Sequence, residues 1–191
     1  DWLIHAYRRG VFPWYSAEQP ILWWAPDPRA VLLPSEFRIS RSLARSIRKR
    51  GYETRIDTAF DEVIEACAGP RHGMAGTWIT REMHDAYGAL HRRGLAHSFE
   101  TWHGDRLVGG LYGVCLGRAF FGESMFTRET DASKVALTRL VAECRRHDAP
   151  LIDCQMPSPH LTRLGSHNLP RSKFESWLGQ LVDADAPMWR E

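Results

Sequence analysis

The chain has no apolar run that approaches the ~20 residues needed to cross a bilayer, and no leader of the export type is expected. A cytoplasmic location is the resulting expectation. Cysteine is scarce: Cys67, Cys115, Cys144 and Cys154 stand far apart in apolar stretches. No C-x-x-C pair and no Cys/His spacing of a zinc site is present, so buried reduced thiols are expected, with neither a disulfide framework nor a metal centre. An excess of one charge is also missing, with 25 Lys and Arg against 23 Asp and Glu. That balance does not mark a polyanion binder, so local clustering must carry any such case. Repeats and low-complexity tracts are absent, which excludes a solenoid or a disordered chain. What remains is an ordinary globular composition over 191 residues, enough for one domain or one domain with a small appendage.

Aromatic residues are plentiful, including 8 Trp. Leu3, Ile4 and Tyr7 followed by Gly10 read as the end of a helix with a glycine stop. The chain thus reads as beginning inside an element, and a preceding segment is expected. Prolines 13, 20, 26 and 28 forbid a long helix over 11–34 and leave short strands and turns, a small N-terminal subdomain over 1–34. Ser40 caps a helix that ends at Gly51. Tyr52–Asp57 is strand-like. Thr58 with Asp61 suits a capping box for a helix with Phe60, Val63, Ile64 and Cys67 inward. Residues 68–76 are a loop, and Thr80 caps a helix burying Met83, Tyr87 and Leu90. Strands then follow over 97–103, 106–116 and 119–126 with turns at Gly104-Asp105 and Gly117. Asp131 or Thr130 caps a helix over 132–147, a strand covers 150–155, a loop carries His160 and Leu161, and a last helix covers 174–181. Helices, a meander, then helix and strand give an α+β plan, a mixed sheet with flanking helices over 35–191.

Three polar residues sit in apolar strands. Glu123 lies within A-F-F-G-E-S-M-F, and Asp153 and Gln155 within P-L-I-D-C-Q. An unpaired buried carboxylate is costly or shifts its pKa upward. Strand alternation puts Asp153, Gln155 and Leu151 on one face and turns Cys154 to the other. A structural ion pair with an Arg and a catalytic site are both open readings of these acids. The same alternation argues against Cys154 and His160 as nucleophile and base. Arg41, Arg45, Arg48 and Lys49 share one helix face without interleaved acids, which suits either a solvated surface or a polyanion.

Several motifs together resemble the leucyl/phenylalanyl-tRNA–protein transferases: F-P-W-Y-S (12–16), L-W-W-A-P-D-P-R (22–29), G-T-W-I-T (76–80), A-H-S-F-E (96–100), L-V-G-G-L-Y-G-V (107–114), F-F-G-E-S-M-F (120–126), A-S-K-V-A-L (132–137), L-I-D-C-Q (151–155), H-L-T-R-L-G-S (160–166) and L-P-R (169–171). The resemblance runs in order along nearly the whole chain. Ala25 stands where the family usually has Ser, Ser166 where it usually has Ala, and the family's leading Gly-Gly-Asp-Leu-Ser segment is absent.

The resemblance implies an acetyltransferase-like (GNAT-type) catalytic domain turned to a new donor. The acetyltransferase phosphate loop is indeed missing from the junction S-M-F-T-R-E-T-D-A-S-K, which removes the backbone cradle for a CoA pyrophosphate. It implies aminolysis of an aminoacyl-tRNA ester, carrying Leu, Phe or Met to the α-amine of proteins that begin with Arg or Lys and so marking them for N-degron proteolysis. No cofactor and no metal are implied, and a monomer is the default. By resemblance, Asp153 and Gln155 form a relay that orients the attacking amine, and Glu123 helps hold it. Asp153 through Gln155, the leaving 3′-oxygen and water stay open as the proton's destination. Leu111, Phe120, Met125, Leu137, Leu140 and Ile152 are implied around the donor side chain, each equally readable as core. Trp14 and Trp78 frame the terminal adenosine, and Arg41, Arg45, Arg48 and Lys49 meet the acceptor stem. An acyl-CoA acetyltransferase, a non-catalytic RNA-binding module and a cell-wall aminoacyl-tRNA-dependent enzyme are the rivals. The first lacks its phosphate loop, the second leaves the strand acids unexplained, and the third needs two such domains.

Overall fold

The computed structural model describes residues 2–15, 19–69 and 79–186. In chain order the elements are α1 (Trp2–Tyr7), β1 (Phe12–Pro13), β2 (Trp23–Trp24), β3 (Arg29–Leu32), α2 (Arg41–Lys49), β4 (Tyr52–Ile56), α3 (Phe60–Ala68), α4 (Arg81–Arg92), β5 (Ala96–His103), β6 (Arg106–Leu116), β7 (Ala119–Thr127), α5 (Ala132–Arg146), β8 (Leu151–Gln155), α6 (Pro159–Arg163), β9 (His167–Leu169) and α7 (Arg171–Leu181). β1 and β2 form a small ribbon, and seven strands form one sheet in the order β4-β5-β6-β7-β8-β3-β9. Every neighbouring pair is antiparallel except β7 and β8, which α5 connects in parallel. This is the expected α+β plan, a mixed sheet with flanking helices.

Local signals explain most boundaries. Ser40 Oγ accepts from the Leu43 amide at 3.2 Å, and Thr80 Oγ1 accepts from the Met83 amide at 3.3 Å, so both helices start on their caps. Gly10, Gly51, Gly94 and Gly117 all take positive φ where the chain stops or turns. Three readings need correction. Thr58 does not cap α3; its hydroxyl donates to Glu100 Oε2 at 2.9 Å, and Ala59 occupies the cap without a side-chain bond. Asp131 precedes α5 in a left-handed conformation, and its carboxylate accepts from Ser46 Oγ and Lys134 Nζ instead of the helix amides. The loop with His160 and Leu161 is a short helix, and β9 follows it. The expected loop over 68–76 falls mostly outside the described residues.

Arg29–Leu32, expected in the N-terminal subdomain, is an interior strand of the large sheet, flanked by β8 and β9. Its four residues are all buried. The sheet carries a core on each face. One gathers Tyr7, Val31, Val63, Tyr87, Tyr112, Phe121 and Phe174 under α1, α3, α4 and α7. The other gathers Leu32, Leu43, Phe99, Phe120, Leu137 and Leu140 under α2 and α5. Gly109 lets α5 approach β6: a Cβ there would sit 2.5 Å from Ala132 Cβ and 2.8 Å from the Ser133 nitrogen. No helix among the described residues is long and apolar enough to cross a membrane.

Candidate functional site

The ladder between β7 and β8 ends at the pair Phe121–Asp153, yet both strands run on. Beyond that point β7 carries Glu123 and β8 carries Gln155. The two side chains meet, with Gln155 Nε2 donating to Glu123 Oε1 at 2.8 Å. Gln155 reaches that position with φ +62, at a bulge in its pairing with β3. A cavity with about 130 Å³ of solvent-accessible space opens here, lined by Leu111, Met125, Leu137, Leu140, Ile152 and Leu161 on its apolar side and by Glu123 and Gln155 at its polar end. A cavity of ~150 Å³ takes one benzene ring, so this one suits a single apolar side chain. Of the residues expected in such a pocket, only Phe120 stands apart. It is fully buried behind the wall, its ring edge-on to Phe99 at 5.9 Å between centroids. It lies inside the paired part of β7, opposite Ile152, on the same face as the cavity's apolar wall but deeper. Cys154 faces opposite to Asp153, as expected, and packs with Ile152 on the face that holds the cavity, which it lines. Burial pushes its thiol well up, and no hydrogen bond joins it to His160 among the described residues.

The two carboxylates differ in how they are satisfied. Asp153 is inaccessible and takes a bidentate pair from Arg29, Nε at 2.8 Å and NH2 at 2.6 Å. Its Oδ1 also accepts from the Gln155 amide at 2.9 Å. Arg29 is held between Phe12 and Phe174, its guanidinium 4.8 and 4.7 Å from the ring centroids. Asp153 is therefore a structural ion pair that also fixes the Gln155 backbone.

Among the described residues, no cation lies against Glu123. Tyr7 Oη donates to its Oε1 at 2.7 Å and Tyr87 Oη to its Oε2 at 2.8 Å, while the two phenol oxygens lie 2.6 Å apart. Burial raises the Glu123 carboxyl; the tyrosine hydrogen bonds oppose this, the Asp153 charge adds to it, Gln155 opposes it, and the result is about 7. Burial also holds both phenols well above their ordinary value. Tyr7, Tyr87 and Arg29 were not singled out from the sequence. Only an apolar-stripe tyrosine, an N-terminal helix residue and a strand arginine were visible, and nothing local ties them to Glu123 or Asp153.

Away from the cavity, Trp14 is 40% exposed and packs at 5.7 Å against Trp24, whose indole donates to the Trp14 carbonyl. Trp78 lies outside the described residues. Arg41, Arg45, Arg48 and Lys49 are exposed on α2 and form no ion pair among the described residues. The buried side of that helix carries Leu43 and Ser46.

Comparison with known proteins gives this arrangement a context. The family described as leucyl/phenylalanyl-tRNA protein transferase matches residues 31–179, and its N-terminal domain matches residues 1–27. A leucyl/phenylalanyl-tRNA–protein transferase of Aromatoleum aromaticum is 58% identical over 173 residues, covering 91% of this chain and 73% of the relative. Those of Thiobacillus denitrificans and Nitrosomonas europaea are 55% and 56% identical, covering 95% and 94% of this chain and 79% and 76% of the relatives. With matches of that extent and identity, the chain belongs to the leucyl/phenylalanyl-tRNA protein transferase family.

Proposed function

We propose that this chain is an aminoacyltransferase that moves Leu or Phe, and also Met, from aminoacyl-tRNA to the N-terminal α-amine of proteins beginning with Arg or Lys, marking them for N-degron proteolysis in the cytoplasm. The observation that carries the reading is the cavity between the parted ends of β7 and β8, sized for one apolar side chain, with Glu123 and Gln155 at its open end. An ester of an apolar amino acid seated there would present its carbonyl to those polar groups. The reaction is aminolysis. The acceptor amine must be neutral to attack, and free α-amines have pKa values of about 7.7–8.0. The site must supply orientation and somewhere for the proton to go.

The residues are assigned roles as follows. Leu111, Met125, Leu137, Leu140 and Ile152 hold the donor side chain. Met125 is deformable and the walls are apolar, so discrimination among Leu, Phe and Met is weak, about 1–3 kcal/mol per methylene. Gln155 and Glu123 face the reacting groups. Asp153 acts through Gln155, because its own charge is answered by Arg29 and its Oδ1 also accepts from the Gln155 amide. Phe120 supports the wall from behind. Trp14 and Trp78 receive the terminal adenosine, and Arg41, Arg45, Arg48 and Lys49 contact acceptor-stem phosphates, reading little tRNA sequence. No cofactor is needed, since the ester is already activated. The sheet is read as a GNAT-type catalytic domain acting as a monomer. Its N-terminal subdomain is best drawn to end before Arg29, which leaves β3 with the sheet, and not at residue 34.

The test is transfer of labelled leucine from leucyl-tRNA to a peptide beginning with Arg, beside one beginning with Glu. Label in the Arg peptide alone is expected. No label in either, with folded protein, ends the proposal.

A further inference from the structure

The oxygens of Tyr7, Tyr87 and Glu123 close a three-membered ring of contacts, at 2.6, 2.7 and 2.8 Å. Each contact needs one proton. Each phenol supplies one and a carboxylate supplies none. With Glu123 ionised, two protons serve three contacts, and one pair of oxygens faces lone pair to lone pair. The shortest contact lies between the tyrosines, where such a pairing is least tolerable. One added proton, on Glu123, completes the ring: Glu123 donates to one tyrosine, that tyrosine to the other, and the second back to Glu123. We infer that Glu123, within this ring, is the group that accepts the proton from the attacking amine, with Tyr7 and Tyr87 as positioning residues that make room for that one proton.

Asp153 is excluded from the role by its partners. Its charge is already answered by the buried Arg29 guanidinium, its Oδ1 also accepts from the Gln155 amide, and it has no accessible surface. Both residues border the cavity, but Glu123 keeps partial exposure and Asp153 none. The groups that face it are Tyr7 from α1, Tyr87 from α4, and Gln155 and Asp153 from β8. Tyr112 of β6 flanks Tyr87 at 5.4 Å between ring centroids, and the charge of Arg29 on β3 is engaged by Asp153. Among the described residues, therefore, no cation competes with a proton for Glu123. Burial lifts its carboxyl to about 7 against the tyrosine bonds, and a base poised near neutral pH is both ionised and able to take a proton.

The step balances. As the amine nitrogen bonds to the ester carbonyl carbon, one N–H proton passes to the Glu123 carboxylate. When the carbon–oxygen bond breaks, the 3′-oxygen leaves with the bonding pair and takes that proton. An amide and a free 3′-hydroxyl result, the carboxylate is restored, and nothing is oxidised or reduced. This inference rests on the proposed transferase reaction, and its test keeps the two apart.

The chain would be labelled with ¹³C at glutamate carboxyls and titrated by NMR as wild type, Tyr7→Phe and Tyr87→Phe, with Glu123→Gln assigning the signal. Losing one phenol removes two filled contacts from the protonated ring and one from the ionised ring. The ring therefore expects the Glu123 midpoint to fall in both phenylalanine variants. A rise would mean that the hydroxyls only donate to a carboxylate, and would overturn the inference. In parallel, Glu123→Gln should lower kcat/KM for leucine transfer by about 10²–10⁴-fold, with leucyl-tRNA affinity changed only a few-fold. Transfer within tenfold of wild type would overturn the base role. A wild type that transfers nothing, but whose midpoint falls in the variants, would sink the transferase reading and the base role together while leaving the ring established.

Discussion

Arg29 and Asp153 show what a buried ion pair does for a site without touching its reaction. Both are withdrawn from solvent, joined by two hydrogen bonds and clamped between Phe12 and Phe174. Breaking such a pair from one side leaves an unpaired charge and costs about 3–5 kcal/mol. Arg29→Met should show that loss in urea melts. Adding Asp153→Leu should recover much of it, since an apolar pair of similar volume removes the stranded charge, and no recovery would refute the structural assignment. Glu100 is a second buried acid, across the sheet from the site. Ser98 and Thr58 donate to it, and burial lifts its carboxyl to about 7 against those bonds. Its folded pKa lies above the unfolded one, so its stabilising contribution is full below about 4.5 and is lost as pH rises through 7. The size is on the order of 3 kcal/mol. Stability measured from pH 4.5 to 8 should therefore fall less steeply in Glu100→Gln than in wild type, and unchanged slopes would remove Glu100 from the account.

At the scale of elements, caps and close approaches decide where the cavity walls stand. The contrast between two threonines is instructive. Both precede a helix, but Thr80 bonds the Met83 amide and Thr58 bonds Glu100. Thr80→Ala should cost about 0.5–2 kcal/mol through the lost cap. Thr58→Ala should leave α3 propensity untouched and instead raise the Glu100 pKa further, because a donor to its carboxylate is gone. Equal effects on both helices would contradict this division. The N-terminus of α5 depends on Gly109, where any side chain would meet Ala132 at 2.5 Å. Gly109→Ala should push α5 outward and cost about 1–3 kcal/mol as overpacking. Leu137 and Leu140 ride on that helix and line the cavity, so leucine transfer should weaken along with the melting point.

At the scale of the whole molecule, net charge says little and its placement says more. The chain is only +2 overall, yet α2 presents Arg41, Arg45, Arg48 and Lys49 to solvent without partners among the described residues. If they meet phosphates, each contact removed should lower the slope of log affinity against log salt by about 1. Arg45→Ala with Arg48→Ala should reduce leucyl-tRNA affinity more at low salt than at high salt, uniformly across tRNA sequences. An unchanged salt slope would assign the helix to plain solvation.

The sequence by itself determined the elements whose signals are local: helices on Ser40 and Thr80 caps, stops at Gly51 and Gly94, the three-strand meander, and the acids out of place in β7 and β8. It also carried the family motifs. Hydrogen-bond capping, glycine's freedom at positive φ and side-chain alternation act over a few residues, so they can be read without the fold. Tertiary structure alone decided that Arg29 answers Asp153 across 124 positions and that Tyr7 answers Glu123 across 116. It also placed β3 between β8 and β9, buried Phe120 behind the wall, and brought Gln155 to the cavity at a bulge. Partners so distant in sequence are chosen by which strands come to lie side by side and by the need of a buried carboxylate for a donor. Neither leaves a mark in the local spacing of residues.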